Sequence, residues 1–480
     1  MMVHGNPDPR STPQELLEAI ASISSPDVVD TPFGRLDFFD GVPLPETVST
    51  IYDALDLVRG IDVFLNCVPG ASLVAFRRGL RALGIDSPRT IAYSDPRANS
   101  RALALTPNTE TTYGTTFLDL RAWGPTVVEA PPNSMCVVDD FWFRYVTDMG
   151  IPGPDHGQGG NYLYLPPGYE GDVPDGYFVL RSPTFTNWVV LRALGGVADM
   201  KKARIYPLSE ADSPRANEWI NWVEESFNTV HANDLSFFFE IDELVQEEPT
   251  EALDPERAGQ LAAIGIVKGR PFDPDERMRG ILDKAARIGA GMARTLSYAP
   301  RDPQASLYGS WNNAFVGGSH EFLRDGARLL DARTQFHYIA TVITPAMARA
   351  RAGAGSAYAY TVHDARGAIL DGGRTYRLRV DPNPPVKNFW AVDVYDTQTR
   401  SLIQVPSTIW PAVASNSGEL IANDDGSHDL FFGPNPPEGG KSNWVETIPG
   451  KSWFPLFRLY GPLEPWFDQT WRLGEFEPLD

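Results

Sequence analysis

"SMCVVDDFWFRYVTDMGIPGPDHGQGGNYLYLPP" (Ser134–Pro167) decides how this chain reads. Its first half is rich in β-branched and aromatic residues. It then breaks into glycine and proline and resumes as "NYLYL". Apolar runs this short, bounded by turn formers, are strands rather than helices. The rhythm continues in both directions, through "TTYGTTFLDL" and "TVVEAP" before the stretch and "GYFVLRSP" and "NWVVLRAL" after it. A first β-sandwich or jelly-roll-like domain over residues 101–210 follows. If 135–146 is one strand, alternation puts Met135, Val137, Asp139, Phe141, Phe143 and Tyr145 on an apolar core face. Asp140, Trp142 and Arg144 share the other face. They read either as a diagonal ion pair or as a pocket wall, with Trp142 as platform, Asp140 as base and Arg144 as anion clamp. The glycine-rich loop behind them would serve as a lid.

Working outward, residues 1–34 are polar and proline-rich and read as a loosely ordered arm. From Pro45, Val48, Tyr52, Leu55, Val58 and Leu65 recur at helical spacing, giving a helical cap over 35–100. "SPRANEWINWVEESFNTV" carries Ser213 as an N-cap and Pro214 in the first turn, and "PDERMRGILDKAARIGAGMARTL" continues a helical period, so 211–300 reads as a helical linker or insertion. Strands return in "AYAYTVHD", "TYRLRV", "NFWAVDVYD", "DLFFG" and "WFPLFRLYG", which place a second sandwich in 301–480. The fold class expected is mainly β with α additions, two sandwiches joined by a helical segment.

The 480 residues include 62 acids against 41 bases, a formal net charge of −21. That field repels phosphate backbones and anionic lipid, which argues against nucleic-acid and membrane partners. No apolar run reads as long enough to span a bilayer. The two cysteines, Cys67 and Cys136, sit in apolar runs and read as buried thiols. The N-terminus lacks a basic start and an apolar core, so a cytoplasmic protein is expected.

There is no phosphate-binding glycine loop, no Cys-x-x-Cys and no G-x-S-x-G elbow. "HEFLR" at His320 begins like a zinc helix, but Arg324 stands where the second histidine belongs. Chemistry-bearing residues remain. "TPNTETTYG" offers Asn108 and Tyr113 on a turn, Arg192 ends an apolar strand, and Asn443, Trp444, Arg458 and Tyr460 lie in the C-terminal strands. Tyr145 and His337 are candidate proton carriers beside Asp140, with Arg458 holding developing negative charge. His320, His337 and a carboxylate could hold a divalent metal, although the spacing does not predict one.

The motifs "TPNTETTYG", "DLRAWGPTVVEAP" and "GPDHGQGGNYLYLPPGYEGDVPDGYFVLRSPT", followed by "PPVKNFWAVDVYDTQTRSLI" and "KSNWVETIPGKSWFPLFRLYGPLEPWFDQTW", resemble a bacterial two-domain family. It is the domain of unknown function 1254 followed by the domain of unknown function 1214. The resemblance implies two β-sandwich-like domains bridged by helices and brings little mechanism. The expected function is a small-molecule enzyme of hydrolase or lyase type, using general acid–base chemistry without an organic cofactor. The alternatives are a carbohydrate or apolar-ligand binding module and an assembly subunit, a homo-oligomer closed by Trp453, Trp466 and Trp471.

Overall fold

The computed structural model describes residues 12–437 and 442–479. Both sandwiches are present, and both are built as a six-stranded sheet covered by a four-stranded one. In the first, β1 (Thr90–Tyr93), β2 (Gly114–Asp119), β3 (Met135–Asp140), β4 (Tyr145–Gly150), β5 (Thr186–Leu191) and β6 (Glu218–Asn221) lie in the order β6-β1-β2-β5-β3-β4. The covering strands are Phe178–Arg181, Gly160–Leu165, Thr126–Ala130 and Arg204–Pro207. Ile91, Leu118, Cys136, Val138, Val189 and Leu191 fill the space between these sheets, against Val128, Tyr162, Tyr164 and Ile205. Strand alternation therefore turns Val137, Trp188 and Val190 the other way, into a core shared with helices and with the second unit.

In the second unit, β7 (Ser306–Tyr308), β8 (Trp311–Asn313), β9 (Ser356–Tyr360), β10 (Val386–Asp396), β11 (Ala412–Ala414) and β12 (Trp453–Pro462) lie in the order β7-β8-β9-β12-β10-β11. Trp444–Glu446, His428–Gly433, Tyr376–Val380 and Glu477–Pro478 cover them. Trp390, Val392, Phe457 and Leu459 point between these sheets, and Tyr395, Phe454 and Leu456 point towards the first unit. The two six-stranded sheets thus turn their outer faces to one core.

Helices close the sides: α1 (Pro13–Ile23), α2 (Pro45–Ala82), α3 (Ser236–Glu247), α4 (Pro255–Ala263), α5 (Glu276–Tyr298) and α6 (Leu330–Ile339). α2 and α5 approach closely because glycines lie at their contact. A Cβ on Gly60 would stand 2.8 Å from that of Ala285, and one on Gly289 would stand 2.6 Å from the Phe64 ring.

Four expectations need correction. The 213–230 stretch is not a helix. "EWIN" forms β6, pairing parallel with β1, because the alternation of Trp219 with Ile220 suits a pleat and lets Trp219 meet Tyr93 edge-on at 6.1 Å. The described part of the N-terminal arm is ordered. Thr12 and Glu15 form a reciprocal cap on α1, and a small three-stranded sheet follows it; residues 1–11 of that arm lie outside the described residues. Trp453, Trp466 and Trp471 pack in the second sandwich core instead of closing an interface. Finally, α2 is long and apolar enough to cross a bilayer by length and composition. In the fold, 61% of its most apolar window is buried in protein.

Candidate functional site

The DDFWFR stretch is a hairpin, not one strand. β3 ends at Asp140, residues 141–144 turn with Phe143 at φ 61°, and β4 starts at Tyr145. The Asp140 carboxylate builds that turn. Its Oδ1 accepts from the Trp142 and Arg144 amides at 2.9 and 3.0 Å, and its Oδ2 accepts from Arg144 Nε at 2.7 Å. Arg144 Nη1 donates onward to the Ala252 carbonyl at 2.7 Å, and Trp142 is 4% exposed. The pocket wall expected of Asp140, Trp142 and Arg144 is therefore a closed turn clamp. Depressions of about 460 and about 140 Å³ lie elsewhere, one lined by Arg301, Asp302 and Arg328 and the other by Arg77, Asp119 and Glu247.

The chemistry is on the face assigned to core. Strand register sets out its rows. Phe117, Trp188, Asp139 and Tyr145 lie side by side across β2, β5, β3 and β4. Thr115, Val190, Val137 and Asp148 form the next row. One step further, beyond the Leu191–Gly114 pair, come Arg192 and Tyr113.

Asp139 is fully buried, with Oδ2 accepting from the Ile343 amide at 3.3 Å and Oδ1 lacking any partner. Burial raises this carboxyl well above its usual range, which favours its protonated form. Burial pushes Asp148 up to about 7, against the opposing effect of the Tyr145 hydroxyl. That hydroxyl accepts from the Asp148 amide at 2.9 Å, and the Tyr145 ring meets His320 edge-on at 5.3 Å. Arg192 is partly exposed, and among the described residues no carboxylate pairs with it. Its guanidinium lies 5.8 Å from the centre of the Tyr460 ring.

Across the junction, the second sheet carries a closed network. Arg458 Nε donates to Asp393 Oδ2 at 2.9 Å, and Nη2 donates to the Thr106 carbonyl and the Tyr395 hydroxyl, each at 2.8 Å. The Tyr395 hydroxyl donates to the Pro107 carbonyl at 2.6 Å, and Asp393 Oδ1 accepts from the Thr109 amide at 3.1 Å. Arg458 thus staples the 106–110 loop of the first unit to the second. Asn108 caps that loop, accepting from the Glu110 and Thr111 amides and donating to the Tyr113 hydroxyl.

The loop presents Glu110, which accepts from the Tyr460 hydroxyl at 3.3 Å. Burial first, then the charge of Asp393, push the Glu110 carboxyl well up. Glu110 Oε1 and Asp393 Oδ1 lie 2.9 and 3.2 Å from one Thr109 hydroxyl, which has a single proton to give. A protonated Glu110 satisfies all three groups, donating to Thr109 while Thr109 donates to Asp393.

Asn108, Tyr113, Arg192, Arg458 and Tyr460, chosen from separate parts of the sequence, therefore meet at the junction, and Tyr145 lies on the same sheet face as Arg192. Three others do not join them. His337 packs among Phe143, Phe322 and Phe336; burial depresses it to about 3, and its Nδ1 has no partner. It is a neutral core histidine. Asn443 holds the backbone of Ile421 and Asp429, and Trp444 donates to the Gly433 carbonyl, both in the outer four-stranded sheet. No three His, Cys, Asp or Glu side chains among the described residues are placed to hold a metal. Both thiols are pushed up to about 11 by burial and stay protonated at neutral pH.

Glu110, Asp139, Asp148 and Asp393 were missed. The signal was available for two of them, since "DD" and "AVDV" place an acid inside an apolar strand, where a carboxyl must be partnered or protonated.

Two facing sandwiches with buried acids between them define a class of architecture, and two family models match parts of the chain. Residues 89–208 match the model described as Protein of unknown function (DUF1254), and residues 355–464 match Protein of unknown function (DUF1214). The chain carries the first domain followed by the second, in the order its motifs imply. The VPA0106 protein from Vibrio parahaemolyticus superposes with a TM-score of 0.53 at 15% identity, covering 88% of this chain and all (100%) of its own. That likeness shows a shared fold. A Burkholderia cenocepacia protein, itself described as uncharacterized, gives a TM-score of 0.37 at 11% identity over 90% of this chain and 96% of its own. No curated protein matches significantly.

Proposed function

We propose that this protein is a small-molecule enzyme of hydrolase or lyase type, using general acid–base chemistry between the two six-stranded sheets. The observation that carries the reading is one sheet face that holds both an unpaired guanidinium, Arg192, and the buried carboxyls Asp139 and Asp148. A carboxyl such as Asp148, brought to about 7 by burial, can both give and take a proton at physiological pH. Glu110 is a second proton carrier, linked through Thr109 to Asp393. Arg192 would hold the anionic group of an organic substrate or the negative charge that develops during reaction. Tyr113 and Tyr460 supply hydroxyls at the junction, and Tyr145 supplies another on the same sheet face. Because both thiols are held protonated, the reading uses no thiolate nucleophile. It needs no organic cofactor, leaves a divalent metal allowed, and takes a small molecule as partner in a cytoplasmic protein.

The test is a thermal-shift screen of small organic acids, followed by NMR of each hit incubated with the protein. A hit that is converted, with turnover about a hundredfold or more slower in Asp148→Asn or Glu110→Gln, supports the reading. Hits that bind unchanged would make the protein a binding module. Assembly is a second reading, favoured by the apolar side chains that α1 and the start of α2 leave in solvent, Leu17, Ile20, Ile23 and Tyr52 among them.

A further inference from the structure

The geometry points to a second, separate site: an oxyanion site for a phosphate group, made by Arg257, Arg328 and Arg333 where α4, the Ala327–Arg328 strand and α6 meet α2. Arg333 is 5% exposed, and its Nε has no hydrogen-bond partner. Its Nη2 donates to the Asn66 side chain, a neutral group. Asn66 in turn donates to Asp62 Oδ1 at 3.0 Å, and Gln260 donates to Asp62 Oδ2 at 2.8 Å. Asp62, the carboxylate that Asn66 links to the buried arginine, thus accepts from a side-chain amide on each oxygen.

Arg257 precedes Gln260 by three residues on α4, so both side chains share the helix face turned to α2. Arg328 donates to the Glu321 carbonyl and is the one of the three that lines the depression of about 460 Å³, beside Asp302 and Asp331. The charges of Glu321 and Asp254 also act on Arg328, as do those of Arg257 and Arg144. None of the three guanidiniums is ion-paired to a carboxylate among the described residues, although Arg77, Arg89, Arg144, Arg277 and Arg458 all are.

A buried cation without a counter-ion is costly, and like charges brought together add to that cost. Burial first, then Arg257 and Arg328, depress Arg333 to about 10. In a chain with 62 acids against 41 bases, a carboxylate could readily have been supplied here. A doubly charged oxyanion satisfies several guanidinium forks at once, which a single carboxylate cannot.

Isothermal titration calorimetry on the full chain at fixed ionic strength tests this, with inorganic phosphate, phenyl phosphate and acetate as probes. Phosphate should bind and acetate should not. Binding of phenyl phosphate as well assigns the site to organic monoesters, whereas binding of phosphate alone assigns it to the free ion. Arg333→Met and Arg257→Gln should each weaken phosphate binding by about tenfold or more, the loss of one or two charge-assisted hydrogen bonds. Ligand-free Arg333→Met should melt no lower than wild type, because it removes an uncompensated charge. Should that variant fail to fold, Arg257→Gln decides alone. No phosphate binding to the wild type, or equal affinity in the variants, overturns the site.

Discussion

The two six-stranded sheets turn the same kind of face to the junction, an aspartate on one strand and an arginine on the next, yet only the second sheet closes the pair. On the second, Asp393 lies opposite Leu456, and Arg458 is two residues further along. On the first, Asp139 lies opposite Trp188, and Arg192 is four residues further along. At about 3.3 Å per residue these offsets are roughly 7 and 13 Å, within and beyond the reach of a diagonal pair. A shift of one residue pair thus separates a structural staple from a charge left for something else. Closure gives rigidity at the domain junction. Openness leaves Arg192 on the same face as Asp139 but without a carboxylate partner.

The comparison breaks first at Arg458. Arg458→Met strands the Asp393 carboxylate in the core and should cost about 3–5 kcal/mol, read as a large fall in the urea midpoint. A near-neutral result would mean that this pair is not closed in solution. The Asp140–Arg144 clamp sharpens the scale, because its arginine is 43% exposed. Asp140→Asn should cost less, about 1.5–3 kcal/mol, and leave ligand binding intact. A loss of binding there would return the site to the hairpin.

Asp148 gives a pH signature. Its folded value of about 7 lies above the unfolded value of about 3.9, so the folded state holds a proton that the unfolded state releases. Its stability contribution is full below about pH 4 and is lost as pH rises through 7. Asp148→Asn should therefore gain on wild type between pH 5 and pH 8, by about 1 kcal/mol or more when stability is measured at both. A pH-independent difference would place Asp148 in water. The smallest effect belongs to Arg192, where removal of an unpaired, partly exposed cation should change stability by no more than about 0.5 kcal/mol.

Much of this was legible beforehand. Short runs between turns specified two sandwiches, and "TPNTETTYG", "NWVVLRAL" and "LFRLYG" yielded Asn108, Tyr113, Arg192, Arg458 and Tyr460. What failed was the assumption that 135–146 is one extended strand. The Asp140 side chain satisfies two turn amides at once, and this local bonding ends the strand there. Alternation has no meaning beyond that point, and of the neighbouring acids it is Asp139 that lies on the junction face. The "EWIN" strand is hidden from the sequence for a related reason, since its partner β1 lies more than a hundred residues away and no local pattern reveals it.

The most direct measurement is the calorimetric affinity of the tightest-binding small organic acid for wild-type and Arg192→Gln protein, with melting temperatures in parallel. The account predicts a loss of about tenfold or more with the melting point unchanged, and no loss in Arg333→Met. Equal affinity for wild type and Arg192→Gln would contradict it.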